Sequence, residues 1–202
     1  TTFMNRYDNC LVPLICKLTN LFPNSEIIIV ANGHVLKDSQ EAYLNKISLF
    51  SSSFENIKLL KYNNPKGLSK IWNLIVEKSI NDNILILNDD VDIKVEFIDY
   101  IFYIFSLHKK LTLINNSWSH FLINKSLIND IGGFDEGLKE IGGEDDDYMA
   151  RIALNKIEIN SIDTNTIKGK LSLKNKKSKV NSYGKDMFKE DNGYSSYNNK
   201  YL

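Results

Sequence analysis

The sequence is poor in cysteine and histidine, carries no net charge, and has no long apolar run. Each shortage narrows the function. Only Cys10 and Cys16 occur. Spaced as they are in an expected helix, they do not face each other for a disulfide. They read as ordinary buried thiols of a reducing, intracellular compartment. No stretch reaches the roughly 18 apolar residues of a membrane-spanning helix. Lysine and arginine number 25, and so do aspartate and glutamate. A general nucleic-acid binder would carry a basic excess, so nucleic acid is not expected as a partner. The opening TTFMNRYD lacks the basic start and small-residue cleavage site of a signal peptide. It reads as the middle of a strand, with a few residues expected upstream, and the expected location is cytoplasmic. No internal repeat is visible.

What is present is ample for a core: 43% hydrophobic residues, with 10 Phe, 10 Tyr and 2 Trp in 202 residues. One domain is expected at this length. The first half alternates strand and helix signals. Glu26–Ala31 (EIIIVA) and Asn83–Leu87 (NILIL) are short and continuously apolar, as strands buried on both faces are. Asn56–Lys61 (NIKLLK) is a weaker third. Between them run helical stripes: Cys10–Leu21; Leu68, Ile71, Trp72, Ile75 and Val76; and Phe97, Ile98, Ile101, Phe102 and Phe105. Strands alternating with helices predict an α/β fold with a mainly parallel sheet flanked by helices. Such sheets bind ligands beyond the carboxyl ends of their strands. Further on, Leu111–Asn115, Phe121–Asn124 and Lys156–Ile162 read as strands, and Lys125–Ile131 as a short helix. A second helix is expected from the acids at 144–147 to about Asn155. After about Thr166 the chain turns polar, and 168–179 (KGKLSLKNKKSK) is strongly basic.

Two acidic constellations carry chemical interest. The first is ILILNDDVDI, Ile84–Ile93. Alternate side chains of a strand share a face, so Asn88, Asp90 and Asp92 point one way at a strand's carboxyl end. Carboxylates there suit Mg²⁺ or Mn²⁺, which take oxygen ligands from one or two acids plus substrate phosphates. A solvated strand exit is the plainer alternative. The second is GGFDEGLKEIGGEDDDYMARI, residues 132–152. Gly142 and Gly143 permit positive φ or close approach. The acids Glu144–Asp147 then begin a helix, where the macrodipole stabilises negative charge by roughly 0.3–1 kcal/mol each. That benefit is shared and their mutual repulsion is not. A carboxylate whose pKa is raised by its neighbours is a natural general base.

Taken together, TTFMNR, IIIVANG, NPKGLSKIWN, ILILNDDVD, GGFDE and GGED, in this order, resemble the nucleotide-sugar glycosyltransferases of the GT-A fold, family 2, over nearly the whole chain. GGEDDD is also similar to the corresponding stretch of the β-1,4-galactosyltransferases, an inverting group. The resemblance implies a Rossmann-like GT-A domain over 1–166, with a nucleotide-sugar half at 1–110 and an acceptor half at 111–166. A polar, partly ordered tail follows at 167–202. It implies transfer of a sugar from a nucleotide-sugar, a UDP-sugar being expected, to a carbohydrate acceptor hydroxyl with inversion. A divalent cation, Mn²⁺ or Mg²⁺, would be held by Asp90 with Asp92. Donor contacts fall to Thr2, Asn5, Arg6, Asn32, Gly67, Lys70, Asn73 and Asp89. Asp145 takes the position of the catalytic base, and Glu144 and Gly143 line the acceptor site with Trp118 and His120 of NNSWSHF. For Trp118 and His120, plain core and a satisfied polar residue are the competing readings. Asn88 stands where the first Asp of D-x-D often stands. The family's usual downstream His ligand is missing, since His34, His108 and His120 all lie upstream. The basic run is expected to be a solvated tail, with peripheral membrane contact as the alternative. The alternatives in function are a nucleotide-sugar-binding but inactive homologue, and a nucleotidyltransferase. The latter would be expected to carry a Gly-rich phosphate loop near the first strand, which is missing.

Overall fold

The apolar, β-branched runs form strands and the 3.6-residue stripes form helices, in the order the sequence sets out. The computed structural model describes residues 2, 6–33, 37–95, 97–138, 143–163 and 173–175. A π-helical turn, Tyr7–Leu11, leads into α1, Val12–Leu21. Then come β1 (Ile27–Ala31), α2 (Lys37–Ser51), β2 (Ile57–Lys61), α3 (Leu68–Lys78), β3 (Asn83–Leu87) and β4 (Val91–Ile93). Next are α4 (Phe97–Ser106), β5 (Leu111–Ile114), β6 (Ser117–Asn124), α5 (Lys125–Ile131), α6 (Glu144–Leu154), β7 (Asn160–Ile162) and β8 (Leu173–Asn175).

The α/β architecture is as expected, but its strands are not mainly parallel. β1 and β2 pair parallel, and Thr2 bridges Ala31 in parallel on the other edge of β1. The larger sheet has the order β3-β6-β5-β7 and is mixed: β6 runs antiparallel to both β3 and β5, while β7 is parallel to β5. The reason is local. β5 and β6 are joined at Asn115 and Asn116, both at positive φ, and so form a hairpin. A tight turn permits only antiparallel pairing, whereas a parallel step needs a crossover. β8, inside the stretch expected to be a tail, pairs antiparallel with β4.

Along the larger sheet, alternate side chains enter different cores. Ile84 and Ile86 of β3 and Phe121 and Ile123 of β6 join Ile71, Trp72, Ile75 and Val76 of α3. Leu122 of β6 joins Phe97, Ile101 and Ile104 of α4 on the opposite face. Each fully buried apolar side chain contributes roughly 1.5–3 kcal/mol. The α4 stripe is rotated from the expected one: Ile104 is buried, and Phe102 is 59% exposed. Neither cysteine is in a disulfide, and only Cys10 is buried; Cys16 is exposed. Among the described residues no helix is long and apolar enough to cross a membrane.

Candidate functional site

The carboxyl ends of β1 and β3 lie at one edge of the fold, and the polar residues that end these strands collect there. Thr2 is fully buried; its N–H donates to the Val30 carbonyl at 3.0 Å, and its own carbonyl accepts from the Asn32 N–H at 3.1 Å. Four residues on, Arg6 reaches Asp89, Nη1 to Oδ1 at 2.7 Å, and stands 3.6 Å from Asp90 Oδ2. Asp89 is almost wholly buried, and burial pushes its carboxyl up while Arg6 works against that shift. Arg6, Asp89 and Asp90 therefore form one unit. Asp92 does not join it. It lies on β4 and pairs with Lys17 of α1, each side chain 46% exposed.

The residues of the first half expected on the donor side are mostly engaged in holding loops. Asn32 is 1% exposed, and its amide is used at both ends. Nδ2 donates to the Lys66 carbonyl, and Oδ1 accepts from the N–H groups of Lys66 and Gly33, all at 2.9 Å. It thus pins the loop ahead of α3, whose first turn opens at Gly67. Asn73, two turns into α3, donates to the Phe134 carbonyl at 2.8 Å and accepts from the Phe134 N–H at 2.8 Å. It also donates to Glu136 at 3.1 Å, and Lys70 stands 3.3 Å from the same carboxylate. Lys70 and Asn73 thereby tie the GGFDE loop to α3. A Cβ at Gly133 would come within 2.7 Å of Asn73 Oδ1, so glycine permits the approach. Asn5 lies outside the described residues, as do His34, Gly142 and all of the basic run except Leu173–Asn175.

The second acid run opens α6. Gly143 caps the helix at φ 87°, a left-handed conformation that glycine adopts without strain. The four acids then divide. Glu144 and Asp147 are buried, while Asp145 and Asp146 keep partial access to solvent. Arg151, one turn on, donates to Asp147 Oδ2 from Nε at 2.9 Å and Nη2 at 2.7 Å. Its Nη1 donates to the carbonyls of Ile131 and Gly133 at 2.9 and 2.8 Å. The pair therefore holds the Gly132–Gly133 turn against α6. Sequence reasoning assigned Asp147 no more than a helix start and left Arg151 out. The i, i+4 Asp–Arg spacing was the available signal. Asp145 Oδ1 accepts from the Asp146 N–H at 3.1 Å, and its other oxygen has no partner among the described residues. Burial, with Asp145 second, pushes the Asp146 carboxyl up.

β6 joins the two acid runs. The Asn88 N–H donates to the Ser119 carbonyl at 2.8 Å, so the exit of β3 lies beside the start of β6. Trp118, partly buried, stacks on Trp72 at 6.2 Å and meets Phe121, Phe134 and Tyr148 edge-on. It is the outer member of an aromatic cluster reaching from α3 to the GGFDE loop and α6. His120 is 4% exposed, and its Nδ1 shares a 2.7 Å hydrogen bond with Ser119 Oγ. Burial pushes the imidazole down, so it is neutral near pH 7. Its Nε2 has no partner among the described residues.

The acids suit a divalent cation in one place. Asp89 Oδ2 and Asp90 Oδ1 are buried oxygens without hydrogen-bond partners among the described residues. Two carboxylates with open oxygens match Mg²⁺ or Mn²⁺ completed by phosphate and water oxygens. They do not match an all-protein cage: among the described residues no three His, Cys, Asp or Glu side chains cluster for a metal.

Solved structures are similar to the chain in fold, and a family model matches its sequence. A crystal structure of residues 1–349 of S. aureus TarS matches with a TM-score of 0.52 at 18% identity, covering 73% of this chain and 53% of that one. The chain thus spans about half the length of that neighbour. A protein from Bacillus anthracis described as a glucose-1-phosphate thymidylyltransferase, solved with a sucrose, matches with a TM-score of 0.51 at 10% identity, covering 76% and 73%. The catalytic domain of Drosophila β1,4-galactosyltransferase 7, solved with xylobiose, matches at 0.46 and 12%, covering 83% and 81%. At these identities the likeness concerns the fold. No curated protein matches the chain. The family model described as glycosyltransferase-like family 2 matches residues 50–198, a span that contains both acid runs and the GGFDE loop. The chain belongs to the glycosyltransferase family 2-like group, with a GT-A-type α/β fold.

Proposed function

We propose that the chain moves a sugar from a nucleotide-sugar, a UDP-sugar first, to a carbohydrate hydroxyl by a single displacement that inverts the anomeric carbon. The acceptor oxygen attacks C1, the bond from C1 to the diphosphate oxygen breaks, and the acceptor's proton passes to Asp145. The observation that carries this reading is the division of the α6 acids. Glu144 and Asp147 are buried, whereas Asp145 reaches solvent with one oxygen unengaged, on the helix beside the Trp118 cluster. A base must reach its substrate before its pKa matters. Trp118 offers a ring face to a sugar, and Glu144 and Gly143 border the same place.

On the donor side, Arg6, Asp89 and Asp90 receive the diphosphate, with Thr2 and Asn32 shaping the strand ends beside it. A divalent cation held by Asp89 and Asp90 would neutralise charge gathering on the leaving diphosphate. Arg6 already stands between these acids and supplies part of that charge. Asp92, committed to Lys17, is left out of the proposed site. Holding donor and acceptor together in one cleft provides the orientation term.

A second reading, donor binding without turnover, draws on Asn88 at the first position of D-x-D. The test separates the two. A panel of nucleotide-sugars, with and without Mn²⁺, is scored by thermal shift and by release of nucleoside diphosphate. Shift with release supports transfer, and shift without release supports binding alone. No shift with any member removes donor binding altogether. Release of inorganic pyrophosphate from a nucleoside triphosphate and a sugar phosphate would instead indicate a nucleotidyltransferase. Asp145→Asn should lower turnover by roughly 10²–10⁴-fold with donor binding retained. Asp146, whose carboxyl is pushed up, is the comparison: if Asp146→Asn alone has that effect, the base is Asp146.

A further inference from the structure

Helix α4 is apolar on more sides than its core contacts use. Its sequence, FIDYIFYIFS, carries a single charge, Asp99. Phe97, Ile101 and Ile104 face the core that includes Val91 and Ile93 of β4. Phe102 and Tyr103, on the outer face, are 59% and 55% exposed. A helix face turned to water ordinarily carries polar residues. The outer rings are joined to others: Phe102 meets Phe22, at the end of α1, at 6.2 Å, and Tyr103 lies 6.0 Å from Tyr100. Val95, just ahead of the helix, is also exposed. Aromatic side chains from two elements thus form one patch. Apolar side chains exposed singly need no explanation, but a contiguous patch marks a contact.

Basic charge is anchored at the same place. β8 pairs with β4, setting Leu173 opposite Ile93 and Lys174 opposite Asp92. Ile93 is followed by Lys94 and Val95, both exposed, and then by α4. The stretch 168–179 contains six lysines and no acid. Each of them lies on β8 or within five residues of it, and a chain spans at most about 3.6 Å per residue, so all are tethered within about 18 Å of β8. Against these stand Asp92, already paired with Lys17, and Asp99 in the first turn of α4. The balance beside the aromatic patch is positive.

Charge decides what covers this face. A second copy seated on it by two-fold symmetry would bring the two lysine runs toward each other, and like charges oppose that. An anionic lipid surface suits both features. Rings enter the boundary between headgroups and acyl chains, and lysines meet the anionic headgroups. Tyr103 fits such a boundary, with an apolar ring and a hydroxyl that stays wet. We propose that the outer face of α4, with Phe22 and the lysines tethered at β8, docks the chain on a membrane surface that carries anionic lipid. The contact is peripheral, and it holds whether or not the chain transfers a sugar.

The test sediments the whole chain, Thr1–Leu202, with vesicles of phosphatidylcholine, alone or mixed with phosphatidylglycerol. Binding to the mixed vesicles should be at least about tenfold tighter and should weaken with salt. Lys176→Gln, Lys177→Gln and Lys179→Gln together should weaken it about 10²-fold, near fivefold for each lysine. Phe102→Ser with Tyr103→Ser should weaken it at least about tenfold. Because that pair also removes the contact with Phe22, hydroxyl-radical labelling is read on the unaltered chain as well. Labelling of Phe102 and Tyr103 should fall when mixed vesicles are added, while that of Leu154, exposed on α6, should not. Equal binding to both vesicle types, or binding to neither, would overturn the proposal. So would unchanged labelling of Phe102 and Tyr103 on vesicle-bound chain, which would leave the lysines acting without α4. Protection of the two rings without lipid, with a dimer in sedimentation, would overturn it in favour of a second copy.

Discussion

The two acid runs, Asn88–Asp92 beyond β3 and Glu144–Asp147 at the start of α6, meet the same electrostatic difficulty with partners from different places. Each run buries one acid against an arginine and leaves a neighbour closer to solvent. In α6 the buried acid is Asp147 and its partner, Arg151, is one turn away on the same helix. Beyond β3 the buried acid is Asp89 and its partner, Arg6, comes from 83 residues earlier in the chain. The lesson is that a run of like charges need not be one functional unit. One member serves as a strut that fixes the backbone, while another keeps partial access to solvent. The difference lies in what each strut fixes. Arg151 braces a turn with two carbonyl bonds, whereas Arg6 draws together the two neighbouring acids Asp89 and Asp90.

That comparison can be broken by removing the struts. Asp147→Ala leaves the Arg151 guanidinium poorly compensated in a buried place and should destabilise by roughly 3–5 kcal/mol. Chemical denaturation reads this directly, and a loss below about 1 kcal/mol would show that the pair is not a strut. Arg6→Ala should be milder, roughly 2–3 kcal/mol, because burial already pushes the Asp89 carboxyl up and it can take up a proton once the guanidinium is gone. It should also weaken binding of nucleoside diphosphates, which Asp147→Ala should not do in the fraction that remains folded. Titration calorimetry on both variants would sharpen or erase the distinction between brace and ligand contact. Asn73→Ala removes two hydrogen bonds to Phe134 and should cost about 1–2 kcal/mol, with faster proteolysis at the GGFDE loop. Lys17→Ala tests the acid left outside both units. With both partners about half exposed, the change should stay under about 1 kcal/mol and leave donor affinity unaltered. A large loss of affinity would return Asp92 to the site.

Much of the fold was legible because periodicity reports burial. The Leu68–Val76 stripe is α3, NILIL is β3, and Lys125–Ile131 is α5 to the residue. The α4 stripe was harder, because FIDYIFYIF is apolar on nearly all sides, and a pattern without a polar face does not orient a helix. β4, three residues long, is below the length at which alternation is informative. In the candidate site, the acids and glycines were visible as residue types. Their partners were not, apart from the i, i+4 pair that went unused. Lys70 and Asn73 illustrate the limit: a basic residue and an amide one turn apart on a helix suit a phosphate as well as a loop, and here they hold Phe134 and Glu136.

By itself, the sequence determined the succession of strands and helices and the positions of both acid runs, because these follow from local pattern and residue chemistry. It also determined that Gly143 can open α6 in a left-handed conformation, since glycine has no Cβ. Tertiary structure alone decided that the larger sheet is mixed, that Asp89 is neutralised from 83 residues away, and that Asp92 is turned toward Lys17. Those outcomes depend on which strands lie side by side and which charges are brought together in low dielectric. Pairing of that kind is set by the packing of whole elements, and no local window of sequence contains it.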